Sequence, residues 1–211
     1  MDKPIIYTIG HSTHHLDYFL ELLAGFGVNC IVDVRSVAAS SYNPQYNQKS
    51  FKNFLKNNQI TYLHFGEEFG ARKSDPELLD ADGRLDFEKV RKTGLFKNGL
   101  ERMWQGIEKG FVMAIMCSES EPLDCHRFSL VSAGLEDDGF EVRHILMDKS
   151  LKTHMELKNE LLNKYGKKLP QIDLFHPNVT IDDQLKVAYR FKNQEIGFTP
   201  HSNPKKEDNY D

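Results

Sequence analysis

Phe111-Val-Met-Ala-Ile-Met-Cys-Ser-Glu-Ser-Glu-Pro-Leu-Asp-Cys-His-Arg-Phe128 reads as a buried strand, a polar loop and the start of a helix. The run from Phe111 to Met116 is apolar without alternation, as expected for a strand covered on both faces in the centre of a parallel sheet. It stops at Cys117 and Glu119. After a loop with one proline, Cys125-His126-Arg127 opens an amphipathic segment that uses Phe128, Val131 and Leu135 and ends near Gly139.

Four further strands fall around this one. Ile5–Ile9 is a short β-branched run closed by Gly10, and Ser12 or Thr13 is placed to cap a helix carrying Leu16, Phe19, Leu20 and Leu23. Cys30–Arg35, Thr61–Phe65 and Glu141–Leu146 complete the set. A short helix with Phe51, Phe54 and Leu55 and a longer one with Leu100, Met103, Trp104 and Ile107 lie between them. Strands alternating with helices predict an α/β fold: three layers, a mainly parallel five-stranded sheet, helices on both faces. Residues 73–86 read as an irregular excursion. Residues 1–150 form the core domain on this reading, 151–200 a C-terminal helical extension packed on it, and 201–211 a disordered tail. In the extension, Leu151, Met155, Leu162 and Tyr165 compete with Leu157 and Leu161 for the buried face.

The 211 residues suffice for one sizeable core. A net charge of -4 argues against a global field for non-specific nucleic-acid binding. No apolar stretch reaches membrane-spanning length, and the start resembles no secretory signal. Three cysteines fit a reducing cytoplasm better than a disulfide scaffold.

Ligands of open α/β sheets bind beyond the carboxyl ends of the strands. There the first strand delivers His11 and Ser12, the second Asp33 and Arg35, the third Glu67 and Arg72. The fourth delivers Cys117, Glu119 and Cys125-His126-Arg127. Cys125 at a helix start is a nucleophile or redox thiol, since helix N-termini lower thiol pKa; otherwise it is a half-buried residue beside the true cap, Asp124. His126 or His11 would move protons, with Glu119 among the catalytic groups. Arg35, Arg72 and Arg127 would clamp a phosphate or carboxylate, or else neutralise Asp33, Glu67 and Glu119. Ser12, Asp33, Tyr46 and Cys117 complete the substrate-binding set, although Cys117 also suits simple packing. His144 reads as a core histidine. Cys117, Cys125, His126 and His11 together would suit zinc, but their spacing matches no zinc motif, so no metal and no cofactor is assigned. The spacings of a phosphatase loop, a Walker loop, a complete dinucleotide fingerprint and a zinc deaminase are all missing.

These residues also fall into blocks: Thr8-Ile-Gly-His-Ser12, Val32-Asp-Val-Arg35, Asn43-Pro-Gln-Tyr46, Gly66-Glu-Glu-Phe-Gly-Ala-Arg72, Met116-Cys-Ser-Glu119 and Cys125-His-Arg127. The set resembles the domain of unknown function 488 family. Asp173-Leu-Phe175, Ala188-Tyr189 and Ile196-Gly-Phe198 resemble the tail of its longer members. Ala71 stands where the family usually has a second glycine, and Val37-Ala-Ala-Ser-Ser41 replaces a Pro-x-Ser-Arg-like run. The resemblance implies a bacterial-type cytosolic α/β protein with a motif-lined cleft; some members are associated with DNA repair. The expectation is a small enzyme acting on an anionic, nucleotide- or nucleic-acid-derived substrate. The alternative is a non-catalytic module that binds such a ligand, or a protein, in the same cleft. No membrane partner is expected, and the oligomeric state is left open.

Overall fold

The computed structural model describes residues 3–171 and 178–200. The predicted 201–211 tail and the Asp173-Leu-Phe175 block lie outside the described residues. The core is an α/β sandwich built on a six-stranded, mostly parallel sheet. Its elements run β1 (Ile5–Gly10), α1 (Leu16–Ala24), β2 (Cys30–Asp33), α2 (Gln48–Asn57), β3 (Thr61–His64), α3 (Gly66–Phe69), α4 (Phe87–Arg91), α5 (Gly94–Glu108) and β4 (Met113–Cys117). A π-helical turn, Arg127–Ser132, then leads into α6 (Ala133–Asp137), β5 (Glu141–Ile145), β6 (Leu151–Thr153), α7 (His154–Tyr165) and α8 (Ile181–Ile196). The strand order is β3-β2-β4-β1-β5-β6, and only β6 runs antiparallel to its neighbour.

β4 lies where its apolarity predicts, between β2 and β1, with all five residues buried. Its side chains alternate between two cores, as a strand's period of two requires. Met113, Ile115 and Cys117 join Phe96, Met103, Val131 and Leu135 on one face. Ala114 and Met116 join Phe19, Leu22, Phe51 and Leu55 on the other. The chain leaving β1 and β2 therefore enters the layer of α1 and α2, whereas the chain leaving β4 enters the opposite layer. That divergence opens a crevice beside the carboxyl end of β4.

Two local expectations change and one open choice is settled. Leu151 pairs with Ile145 as part of a sixth strand instead of starting a helix. In α7 the buried face is Leu157, Leu161 and Tyr165, while Met155 is exposed. Thr153 makes a capping box with Glu156 and so fixes where that helix starts. Neither Ser12 nor Thr13 caps α1. The helix begins after His15, which makes no side-chain cap bond, and Ser12 holds a left-handed φ of 46°.

The extension packs on the core through Phe128, against Leu157, Leu161 and Ala188. The side chain of Lys192 on α8 is almost fully buried and reaches Asp124 at 2.9 Å, which ties the extension to the loop after β4. No helix among the described residues is long and apolar enough to cross a membrane.

Candidate functional site

Two polar clusters form at the carboxyl ends of β1, β2 and β4. The first is centred on Asp33, which is fully buried. Its carboxylate accepts from the Arg35 Nε at 2.9 Å, the Arg35 Nη2 at 2.6 Å, the Arg35 backbone N–H at 3.1 Å and the Tyr62 hydroxyl at 2.7 Å. Arg35 gives two further guanidinium N–H groups to the Tyr46 carbonyl and the His11 Nε2. The His11 Nδ1 bonds the Ser12 carbonyl at 2.7 Å, so Nδ1 carries the proton and Nε2 accepts from Arg35. Burial lowers the His11 pKa to about 4, and the neighbouring Arg35 charge acts in the same direction. The imidazole is therefore neutral near pH 7. Tyr46 stacks on it with ring centroids 4.2 Å apart.

The second cluster is Cys117, Glu119, Cys125 and His126. Glu119 Oε2 lies 3.0 Å from the Cys117 Sγ and 2.9 Å from the Cys125 Sγ. His126 Nδ1 lies 3.6 Å and 3.9 Å from the same two sulfurs. On its far side, His126 Nε2 bonds the Val34 carbonyl at 3.2 Å, which fixes that nitrogen as the donor and turns Nδ1 towards the sulfurs. Burial opposes the charged imidazole, but the Cys125 sulfur and Glu119 outweigh it and raise the His126 pKa. One donor atom from each of the four residues lies within 4.8 Å of the others. Burial raises the Glu119 pKa, with the Cys125 charge adding to the effect. Burial also opposes ionisation of Cys125, but the Cys117 thiol, Arg127 and His126 outweigh it and hold its pKa well below that of a free thiol. Cys117 moves well above the ordinary value, because Cys125 takes its hydrogen bond and burial adds to the shift.

The backbone that brings these groups together is tightly packed. His11 and Ser12 donate their N–H groups to the carbonyls of Cys117 and Ser118. At Gly10 a β-carbon would sit 1.9 Å from the Glu119 carbonyl oxygen, so only glycine lets the Glu119 loop cross the end of β1. Arg127 is fully buried and donates from Nη1 and Nη2 to the carbonyls of Glu119 and Ser120, at 2.5 Å and 2.6 Å. It clamps the loop rather than facing a ligand. The π-helical turn that begins at Arg127 is closed by Ser132, whose hydroxyl donates to the Arg127 carbonyl at 2.7 Å. Such wide turns inside helices are frequent at functional sites.

A cleft of about 430 Å³ opens over the second cluster. Cys117, Glu119 and His126 reach it from below, Ser36 and Arg72 stand on one side, and Ile196 and Phe198 come from the extension. Arg72 is exposed and its backbone N–H donates to the Ser36 hydroxyl. Several expected contributors stand elsewhere. Asp33, Tyr46 and His11 are buried in the first cluster, and Ser12 uses its carbonyl to orient His11. Arg35 borders the cleft, but Asp33 engages most of its fork. Cys125 lies behind the cleft, so Cys117 is the cysteine that lines it. The zinc-type set containing His11 is not assembled; Glu119 occupies the place given to His11. Sequence reading missed Ser36, Phe198 and the Val34 carbonyl. A backbone carbonyl has no residue-type signal, and Phe198 reaches the cleft only through the fold of the extension.

Comparison with curated proteins and with solved structures finds no match. A family model matches residues 15–133, more than half of the chain and the segment that carries both clusters except His11. The chain belongs to the family described as domain of unknown function DUF488.

Proposed function

We propose that this protein is a small cytosolic enzyme acting on an anionic substrate of nucleotide or nucleic-acid origin, with the Cys117, Glu119, Cys125 and His126 cluster as its reacting centre. The observation that carries the reading is the convergence of two sulfurs, a carboxylate and an imidazole at the floor of a cleft. A folded core has no packing need to gather four such groups in one place, because each costs desolvation. The cleft has the volume of a small-molecule site, and Arg72 gives it one exposed cation for a phosphate. Glu119 sits where it can exchange a proton with a bound ligand or with either sulfur. The three free cysteines support a reducing compartment.

The test is turnover of a panel of nucleoside phosphates and short single-stranded oligonucleotides, followed by mass spectrometry. Wild type should convert one class of substrate. Cys117→Ser and Glu119→Gln should stop conversion, and Arg72→Ala should raise KM about tenfold with kcat little changed. Conversion that survives Cys117→Ser and Glu119→Gln would remove the cluster from the chemistry. Binding without conversion, unaffected by Cys117→Ser but lost in Arg72→Ala, would replace the enzyme with a binding module.

A further inference from the structure

We propose that Cys117, Glu119, Cys125 and His126 bind a divalent transition-metal ion of the zinc class. The inference builds on the reading of this cluster as the reacting centre, but it requires no substrate. Three observations carry it.

The first is geometry. Zinc bonds of about 2.3 Å to sulfur and about 2.0–2.2 Å to nitrogen or oxygen set tetrahedral edges of about 3.6–3.8 Å between donors. The two sulfur–nitrogen separations, 3.6 Å and 3.9 Å, sit close to that edge. The two sulfur–oxygen separations, 3.0 Å and 2.9 Å, are shorter, so the Glu119 carboxylate must move out by about 0.6 Å to become the fourth ligand. Glu119 is thus the weakest and most exchangeable of the four, and it lines the cleft.

The second is orientation. His126 is held by the Val34 carbonyl through one ring nitrogen while the other points at both sulfurs. An imidazole fixed in this way by a backbone carbonyl is how metal-binding histidines are held.

The third is charge. Arg127 is fully buried and donates to carbonyls, with no carboxylate in ion-pair range among the described residues. A lone buried guanidinium is costly. Two thiolates and a carboxylate bring three negative charges, a divalent ion leaves one, and the adjacent Arg127 cancels it. The loaded site is electrically closed. The zinc class follows from the mixed soft-sulfur, imidazole and carboxylate donors.

The test uses the full chain, reduced, stripped with a chelator and titrated anaerobically with Co²⁺. Saturation should come at one equivalent, with a thiolate-to-cobalt charge-transfer band and the visible bands of tetrahedral cobalt, and Zn²⁺ should displace it. Cys30→Ser should behave as wild type. Glu119→Gln should keep the charge-transfer band and bind about tenfold more weakly. Cys117→Ser and Cys125→Ser should each weaken binding beyond the roughly 10–100-fold that losing an outer-shell partner costs. A folded wild type without the charge-transfer band would overturn the proposal, as would a band that survives the double Cys117→Ser, Cys125→Ser variant. The readout is independent of turnover. A missing band therefore overturns the metal centre and leaves the enzyme reading standing, whereas a band in a protein that converts no substrate overturns the enzyme reading and leaves the metal centre standing.

Discussion

The two polar clusters at the strand ends are built from similar residues and sit side by side, yet they are opposite in kind. Around Asp33 four of the five guanidinium N–H groups and the Tyr62 hydroxyl have found partners: the carboxylate takes two of the former and the hydroxyl, and His11 and the Tyr46 carbonyl take one each. Around Cys117 and Cys125 the groups share too few partners: both sulfurs lean on one Glu119 oxygen and face one His126 nitrogen, and all four ligand atoms face one point. A cluster that closes on itself is a structural device. One whose ligand atoms converge on a single point under a cleft is a receptor. The difference shows that ionisable residues at a strand end count as functional only after their partners are counted.

The largest break in this contrast comes from Arg35→Ala. It strands the Asp33 charge in a fully buried site and should cost about 3–5 kcal/mol in urea unfolding. A loss below about 1 kcal/mol would mean that the cluster is looser than its hydrogen bonds say.

Acid should test a second closed cluster, where His144 bonds the Thr8 hydroxyl and His154, and His154 bonds Tyr189. Burial lowers the His154 pKa to about 3, and Lys158 adds to the shift. The unfolded chain takes up this proton near pH 6.5, whereas the folded chain resists it until about pH 3. The stability from this group is therefore complete above about pH 6.5 and is lost as pH falls towards 3, with a limiting slope of about 1.4 kcal/mol per pH unit. His154→Gln should remove one proton from the measured slope. An unchanged slope would place the proton uptake elsewhere.

Tyr62→Phe is a finer probe. It deletes one hydrogen bond to the Asp33 carboxylate and should cost about 1.5–3 kcal/mol, without changing cobalt binding or thiol reactivity. At the bottom of the scale, Cys117→Ser in the metal-free protein should shift stability by less than about 1 kcal/mol while removing the chemistry. If its cost approached that of Arg35→Ala, the receptor cluster would be structural as well.

Much of the fold was legible because β4 and its neighbours announce their burial through continuous apolarity. The two-sided cover of Met113–Cys117 follows directly from that run. β6 was hidden because three residues carry too little pattern, and its pairing with β5 is decided by tertiary contact. At the site, sequence identified the residue types but not their partners. Arg127 and Arg35 look alike as free cations. In the fold, two loop carbonyls absorb one and Asp33 the other, and Arg72 is the one left at the cleft. Cys125 reads as the activated thiol because it stands near a helix start, and its pKa is indeed held below that of a free thiol. Both cysteines are buried, and what the sequence does not show is that the end of β4 brings Cys117, and not Cys125, to the cleft.

The clasp between Lys192 and Asp124 also has a consequence for synthesis. The two residues are 68 positions apart, so on a ribosome adding about 5–20 residues per second the partner arrives roughly 3–14 s after the loop. Phe198, which forms part of the far wall, follows still later. For those seconds the side of the cleft that Ile196 and Phe198 supply is missing from over Cys117. That interval is when an ion, or an oxidant, reaches it with the least obstruction.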